Sequence, residues 1–339
     1  MLVVAFLFAF RLAPDTPDLP LKQPQIAVAG KTVALTYGAG KAVYFSRSDD
    51  AGKTFSRPVK VAEAKFLALG LHRGPRIAIA GTNLVVTAAV GETRPGDLMS
   101  WRSTDNGKTW SAGVRVNEVP DSAREGLHGM AGAPDGTVWI TWLDLRHQGM
   151  RLYGALSKDG GATWGVNQEI YVSPDGHICE CCHPTAQIGP QGELVAMWRN
   201  WVSGSRDMYY AISSDAKTWS LQKLGQGTWF LNACPMDGGE LALDSKSVVH
   251  SVWRRDATVY ATSGNAKEVE VGRGKNPSIA VGQDGPYVVW TDGTNVKLKK
   301  PGAKDAVTLG EGAFPVLAGS SSVHAAWEHN GAIIVEQIR

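Results

Sequence analysis

The sequence is poor in charge and in helical periodicity. Only 19% of its 339 residues are charged, and the formal net charge is +2, so no strong field is available to attract nucleic acid or an acidic membrane surface. We therefore expect neither kind of partner. What the chain has instead is 39 glycines and 12 tryptophans, a composition typical of many short strands that are joined by turns and packed with bulky side chains.

Long apolar runs are also absent, apart from one at the N-terminus. Residues Met1–Phe10 are almost wholly apolar, but a helix of this length reaches only about 15 Å, roughly half the bilayer core, so we expect no membrane span. The run resembles the apolar region of a signal peptide. We predict that residues 1–14 direct export to the periplasm or the medium and that residues 15–339 form one domain. The alternative interpretation is an ordinary first strand.

A short motif returns through the first two thirds of the chain. It reads S-x-D-x-G-x-T-W at Ser103–Trp110, with copies at Ser48–Phe55 and Ser157–Trp164 and a shorter copy at Ser213–Trp219. The aspartates of successive copies are 55, 54 and 56 residues apart. Each copy has the residues of a hairpin turn, with a carboxylate that accepts from turn N–H groups and a glycine at positive φ. A fixed interval between strand-rich segments predicts a repeat architecture.

This motif resembles the Asp-box, or BNR, repeat of the sialidase superfamily. The resemblance implies an all-β fold, a β-propeller built from four-stranded blades. Asp boxes lie at the blade periphery and occur in glycosidases and in non-catalytic propellers alike, so they predict the fold and not the function.

A second pattern sets the number of blades. Two alternating apolar strands joined by a turn occur seven times, at Pro24–Tyr37, Pro75–Ala89, Gly129–Trp142, Pro184–Trp198, Pro235–Trp253, Pro277–Trp290 and Pro315–Trp327. Seven blades are therefore favoured, with six as the alternative because sialidases have six. The last unit has a third strand, Ala332–Ile338, but no sequence for a fourth. We expect the N-terminal arm Asp15–Gln23 to complete that blade, because an open sheet edge is a liability.

In such a propeller, the loops leading into the inner strands and those leaving the second strands meet on one axial face. Many polar residues fall at these positions, which makes the axial mouth the default site. One set follows from the sialidase resemblance: Arg73 in an R-G-P segment corresponds to the arginine that binds the sialic-acid carboxylate, and Asp97 to the acid/base. Arg199 and Arg254 would complete an arginine triad, since guanidinium forks match carboxylates.

The chain departs from the sialidase pattern at the nucleophile. Sialidases use a tyrosine late in the chain that a glutamate activates, whereas the last tyrosines here, Tyr260 and Tyr287, fall inside predicted strands. A sialidase-like glycoside hydrolase, or a propeller that binds glycans through its arginines, is therefore the alternative interpretation.

The four cysteines suggest a different chemistry on the same face. Cys179, Cys181 and Cys182 precede one inner strand, Cys234 precedes the next, and His183 follows the first group. Thiolate and imidazole are preferred ligands of zinc and copper, and His72 and His128 are predicted to lie on the same face. Disulfide bonding, such as Cys179 or Cys182 with Cys234, is the alternative that export would favour.

We therefore predict an exported propeller that holds a thiophilic ion, copper before zinc, through a subset of these cysteines and histidines. Whether the ion supports redox chemistry or is only carried is left open by the sequence. A non-catalytic interaction propeller is the third alternative, and a monomer is expected in every case.

Overall fold

Seven antiparallel sheets make up the protein. The structure is a computed structural model that describes residues 9–319 and 321–338, and within those residues it has 29 strands and no helix. The first strand in the chain is β1 (Ala9–Leu12). Blade 1 contains β2 (Leu21–Ala29), β3 (Thr32–Ala39), β4 (Ala42–Ser48) and β5 (Val59–Glu63). Blade 2 contains a short extra strand β6 (Phe66–Leu67), then β7 (Arg76–Ala80), β8 (Asn83–Gly91), β9 (Asp97–Ser103) and β10 (Val114–Arg115).

Blades 3 to 7 continue the same order along the chain. Blade 3 contains β11 (His128–Gly132), β12 (Val138–Asp144), β13 (Arg151–Ser157) and β14 (Gln168–Tyr171). Blade 4 contains β15 (Thr185–Ile188), β16 (Leu194–Arg199), β17 (Met208–Ser213) and β18 (Ser220–Lys223). Blade 5 contains β19 (Gly239–Leu243), β20 (Val249–Arg255), β21 (Thr258–Ser263) and β22 (Val269–Arg273). Blade 6 contains β23 (Lys275–Gly282), β24 (Gly285–Asp292), β25 (Asn295–Lys299) and β26 (Val307–Glu311), and blade 7 contains β27 (Ala313–Gly319), β28 (Val323–His329) and β29 (Ala332–Ile338).

The blades form a closed ring, which confirms the all-β propeller and the count of seven. The inner strands β2, β7, β11, β15, β19, β23 and β27 contact one another in that cyclic order, and β27 returns to β2. Each sheet is packed on both faces by its neighbours, so a second strand such as β12 is buried along its whole length. This two-sided burial explains why the second strands read as nearly continuous apolar runs instead of alternating strictly.

The Asp boxes form the turns between the third and fourth strands of blades 1 to 4, at the periphery as the resemblance implies. In the second box, Asp105 accepts from the Thr109 N–H at 2.9 Å and from the Thr109 hydroxyl at 2.6 Å, while the Gly107 N–H donates to Ser103 Oγ at 2.8 Å. These hydrogen bonds, with the Thr109 hydroxyl first, lower the pKa of Asp105 to about 2. The box aromatic packs against the preceding blade: Trp110 meets Phe45 with ring centroids 5.3 Å apart.

The strand that closes the ring differs from the predicted one. Blade 7 is completed by Ala9–Leu12, which pairs antiparallel with β29 from Ala9 opposite Glu336 to Leu12 opposite Ile333. The expectation that Asp15–Gln23 would supply this strand is therefore wrong. Leu21–Gln23 instead begins β2, the inner strand of blade 1. The shift arises because Phe10 and Leu12 offer the apolar side chains that the blade 7 core accepts, whereas Asp15–Gln23 is mostly polar or proline.

The closing strand falls inside the segment predicted to direct export. Residues 1–8 lie outside the described part of the chain, but Ala9–Leu12 is an integral strand of blade 7. Processing that leaves Ala9 in place would preserve the blade, and removal of residues 1–14 would open it. No helix in the described ranges is long and apolar enough to cross a membrane.

Candidate metal centre

The axial face carries the loops that lead into the inner strands. Beneath it, the inner strands enclose a small polar cavity of about 70 Å³. Its lining includes an arginine, a glutamate and two histidines, namely Arg76, Glu240, His72 and His183. Burial raises the pKa of Glu240 to about 7. The two histidine rings stack on each other with centroids 4.2 Å apart, and burial lowers the pKa of both, so they are neutral at neutral pH.

Three cysteines meet in the loop that leads into β15. The loop is anchored where the Cys179 N–H donates to the Arg199 carbonyl at 3.1 Å, and a turn at Glu180–Cys182 then folds the chain back on itself. The exposed fractions are only 1% for Cys179, 7% for Cys181 and 1% for Cys182. The three sulfur atoms therefore converge in a buried pocket beside the axis.

The sulfur geometry is close to that of a metal site. All three Sγ atoms lie within 4.8 Å of one another, with Cys179 at 3.7 Å from Cys181 and at 3.2 Å from Cys182. A metal–sulfur bond of about 2.3 Å places the sulfurs of a tetrahedral site roughly 3.8 Å apart. The first separation already fits, and the second needs to open by about half an ångström on this comparison.

The three thiols are chemically unequal. Hydrogen bonds with Cys181 and then Cys182 hold the pKa of the Cys179 thiol well below its ordinary value. The hydrogen bond to Cys179 raises the pKa of Cys181 to about 12, and burial raises the pKa of Cys182 above its usual range. Of the three thiols, Cys179 is therefore the one that loses its proton most readily.

Two neighbours of the cluster were missed by the sequence analysis. Arg206 Nη1 donates to Cys179 Sγ at 3.1 Å, and its guanidinium is held by the Leu231 carbonyl at 3.0 Å and by the Trp201 ring at 4.4 Å. The Met236 side chain packs against the three cysteines. Neither residue belongs to a recognisable motif: Arg206 lies between β16 and β17, and Met236 lies in the loop leading into β19.

The remaining candidate ligands lie elsewhere. In the described chain, the group of converging ligand atoms contains the three cysteines alone. Cys234 is an exposed free thiol. His183 Nδ1 accepts from the Gly238 N–H at 3.3 Å, and His72 Nε2 lies 3.0 Å from Asn276 Oδ1. His128 is buried between blades 2 and 3, where Nε2 lies 3.0 Å from the Thr87 hydroxyl. Metal ligation by these four residues stays a prediction.

The predicted arginine set makes mostly structural contacts. Arg199 is 1% exposed and donates to four backbone carbonyls, those of Asp237, Arg206, Gly238 and Arg254, at 2.7 to 3.1 Å. Arg254 lies 3.8 Å from the Asp237 carboxylate, and its guanidinium and that of Arg199 both lie over the Trp229 ring. Four of the five N–H donors of Arg199 are thus already used within the protein.

The other two residues of that set lie at loop contacts of blade 2. Arg73 donates to the Glu125 carbonyl at 2.7 Å and to its carboxylate at 3.3 Å. Asp97 accepts from the Asn117 side chain at 2.8 Å and from the Asp121 N–H at 2.9 Å. Both contacts tie down the loop leading into blade 3. A catalytic role for either residue remains a prediction.

Acid is expected to destabilise the protein through its buried neutral histidines. Burial lowers the pKa of His128 to about 3, whereas in the unfolded chain a histidine titrates near 6.5. The unfolded state therefore binds the proton first, and stability falls by about 1.4 kcal/mol per pH unit as the pH drops from about 6.5 toward 3. Urea unfolding of His128→Gln should show a shallower loss of stability between pH 6 and pH 4.

The control for this measurement is the half-exposed His147, whose side chain is 43% exposed. His147→Gln should change the pH slope less than His128→Gln does, because burial is the first cause of the His128 effect. Glu240 has the opposite effect on stability: because its pKa is raised in the folded state, the folded protein gains stability as Glu240 takes up a proton. All three proteins contain Glu240, so its contribution to the pH slope cancels in the comparison. If stability depends on pH equally steeply in the wild type and in His128→Gln, the lowered pKa assigned to His128 is wrong.

Fold and site together define a class: a seven-bladed propeller that presents a buried three-cysteine cluster at its axial face. Residues 84–237 match the BNR repeat-like domain family. The matched range contains three of the four Asp boxes and agrees with the resemblance drawn from them. No match was found among curated proteins.

Several solved structures share the fold. A polysaccharide lyase, Uly1, is 10% identical with a TM-score of 0.62, over 97% of this chain and 100% of the lyase. Virginiamycin B lyase from Staphylococcus aureus is 11% identical with a TM-score of 0.59, over 98% of both chains. The Hadza microbial sialidase Hz136 is 16% identical with a TM-score of 0.54, over 95% of this chain and 74% of the sialidase. At these identities the likeness shows the fold alone.

Proposed function

We propose that this protein binds one thiophilic metal ion, copper(I) before zinc, through Cys179, Cys181 and Cys182. The observation that carries the proposal is the convergence of three buried sulfur atoms within 4.8 Å. Packing of buried thiols in an apolar core does not require their sulfur atoms to converge. Three converging sulfur donors match the preference of copper(I) and zinc for thiolate ligands.

The charge balance around the cluster supports the same proposal. Three thiolates around a monovalent ion leave a net charge of −2, which is unfavourable in a buried pocket unless cations lie nearby. Arg206 is in hydrogen-bond contact with Cys179, and the charge of Arg199 also acts on that thiol. The pocket therefore supplies positive charge where the loaded site would need it.

The glycosidase alternative receives less support. The Arg199 donors are engaged with backbone carbonyls, and no tyrosine follows Tyr287 in the sequence. Tyr260 does reach a carboxylate, with its hydroxyl 3.3 Å from Glu270 Oε1, but the two residues lie on β21 and β22, the outer strands of blade 5, and not at the axis. Export to an oxidising or copper-handling compartment is part of the proposal and is checked by sequencing the N-terminus of the mature protein.

The test is a titration of the reduced protein with copper(I) under anaerobic conditions, against a chelator of known affinity, with zinc titrated in parallel. The wild type should bind one ion per chain. Cys181→Ser and Cys182→Ser should each lose this stoichiometric binding, because each removes one of three donors. The exposed Cys234 gives the matched control, and Cys234→Ser should bind as the wild type does.

Binding should also weaken in acid, because thiols must lose their protons to become ligands. Absence of stoichiometric binding in the reduced wild type would overturn the proposal. So would equal losses in Cys182→Ser and Cys234→Ser, since the ion would then be held by surface thiols in general.

A further inference from the structure

The sulfur atoms of Cys179 and Cys182 are close enough to suggest a second chemistry for the cluster. Cys179 Sγ lies 3.2 Å from Cys182 Sγ, whereas a disulfide bond is about 2.05 Å long. The two residues are separated by two others, and the turn at Glu180–Cys182 already brings them face to face. Closing the gap of about 1.2 Å requires side-chain rotation and no rearrangement of the strands.

The other possible pairs are less favourable. Cys179 and Cys181 are 3.7 Å apart. Cys181 and Cys182 are adjacent in sequence, and a bond between neighbours is strained because the intervening peptide holds the two side chains apart. Cys234 is exposed and lies outside the converging group. Distance and chain geometry therefore single out Cys179 and Cys182.

We propose that Cys179 and Cys182 form a reversible disulfide, and that this oxidation expels the metal ion. The disulfide follows from the sulfur geometry alone. The effect on the ion rests on the proposed metal site, because oxidation removes two of its three sulfur donors and leaves only Cys181, and a single thiolate cannot retain an ion against competing ligands.

The roles of the two sulfurs follow from their surroundings. Arg206 Nη1 lies 3.1 Å from Cys179 Sγ, and a guanidinium there stabilises negative charge on this sulfur, which makes Cys179 the nucleophile. Cys182 is 1% exposed, and its sulfur lies 3.2 Å from that of Cys179. Cys182 is therefore the resolving thiol, which attacks the oxidised Cys179 sulfur. The arrangement places an attacking sulfur and its partner in one pocket, with no need for a second protein thiol.

The oxidant must be small, because the pocket is buried. With hydrogen peroxide, the Cys179 thiolate attacks one oxygen, the O–O bond breaks, and the departing hydroxide takes up a proton to leave as water, which gives the sulfenic acid. The Cys182 thiol then attacks the Cys179 sulfur. Its proton passes to the departing hydroxyl group, a second water leaves, and the S–S bond forms. Two thiols are oxidised by two electrons and one peroxide is reduced to two waters.

The first experiment counts thiols in the metal-free protein. Reduced protein is treated with hydrogen peroxide, quenched, denatured and alkylated, and its peptides are mapped by mass spectrometry. We expect two of the four thiols to become unreactive, a linked peptide to join Cys179 to Cys182, and dithiothreitol to restore all four. Cys179→Ser and Cys182→Ser should form no such link, whereas Cys181→Ser and Cys234→Ser should form it as readily as the wild type.

The second experiment adds zinc, which does not itself oxidise thiols, to reduced and to peroxide-treated wild type. The reduced protein should bind one ion per chain and the oxidised protein none, with binding restored by dithiothreitol. If the reduced protein binds no ion while the disulfide forms, the metal proposal fails and the disulfide stands. If the oxidised protein carries the Cys179–Cys182 link and still binds zinc, the expulsion is refuted. A link to Cys234, or oxidation of Cys179 only to its sulfinic acid, would overturn the disulfide.

Discussion

Removal of residues 1–12 is expected to lower the stability of the protein by about 5 kcal/mol, because it takes away the closing strand of blade 7. Leu12 is buried at 9% exposure, and Phe10 packs on Phe55 with ring centroids 4.8 Å apart. Burial of one such side chain contributes about 1.5 to 3 kcal/mol, and each strand hydrogen bond about 0.5 to 1.5 kcal/mol. The sum over a four-residue strand gives the stated figure.

The loss should also change solution behaviour. Without β1, the edge of β29 exposes unpaired backbone groups over Ile333–Glu336, and such an edge invites pairing with another chain. We expect a lower melting temperature and concentration-dependent aggregation, measured by calorimetry and light scattering. A protein lacking only residues 1–8 retains β1 and is the matched control. Similar melting temperatures for the two truncated proteins would show that β1 does not hold the ring closed.

Replacement of Arg199 by methionine is expected to cost at least 4 kcal/mol. Methionine has a similar length but no donors, so the carbonyls of Asp237, Arg206, Gly238 and Arg254 would each lose a partner in the interior. An unsatisfied buried group costs about 1 to 3 kcal/mol. The Arg199 carbonyl accepts from the Cys179 N–H, and Arg206 contacts Cys179 Sγ, so the variant should also disturb the sulfur geometry and with it the proposed metal affinity.

Urea unfolding of Arg199→Met measures the first effect, and copper(I) titration measures the second. The control is Arg102→Met on β9, where a partly exposed guanidinium donates only to Asn83 Oδ1. This change should cost less than about 1 kcal/mol, as is usual for exposed positions. If Arg199→Met and Arg102→Met have the same free energy of unfolding, the Arg199 side chain does not hold the four carbonyls in solution.

The position of Arg199 also shows what a sequence pattern leaves open. An arginine that follows a strand-ending tryptophan was expected to bind a carboxylate, and in the structure Arg199 is the last residue of β16. Its guanidinium turns inward because four backbone carbonyls converge on it. Three of these carbonyls lie 38 to 55 residues away in the chain, and the direction of a long side chain depends on all four.

What the sequence determined by itself is the local part of the molecule. The Asp boxes, the seven strand pairs and the placement of the cysteine loop on the axial face follow from turn chemistry and alternation within single repeats, since each blade is built from residues close in the chain. What only the tertiary structure decided lies between repeats. It includes the choice of Ala9–Leu12 as closing strand and the separation of Cys234, His72 and His128 from the three cysteines. These features depend on which segments come into contact when the ring closes. Residues from different blades share no local sequence pattern from which such a contact could be predicted.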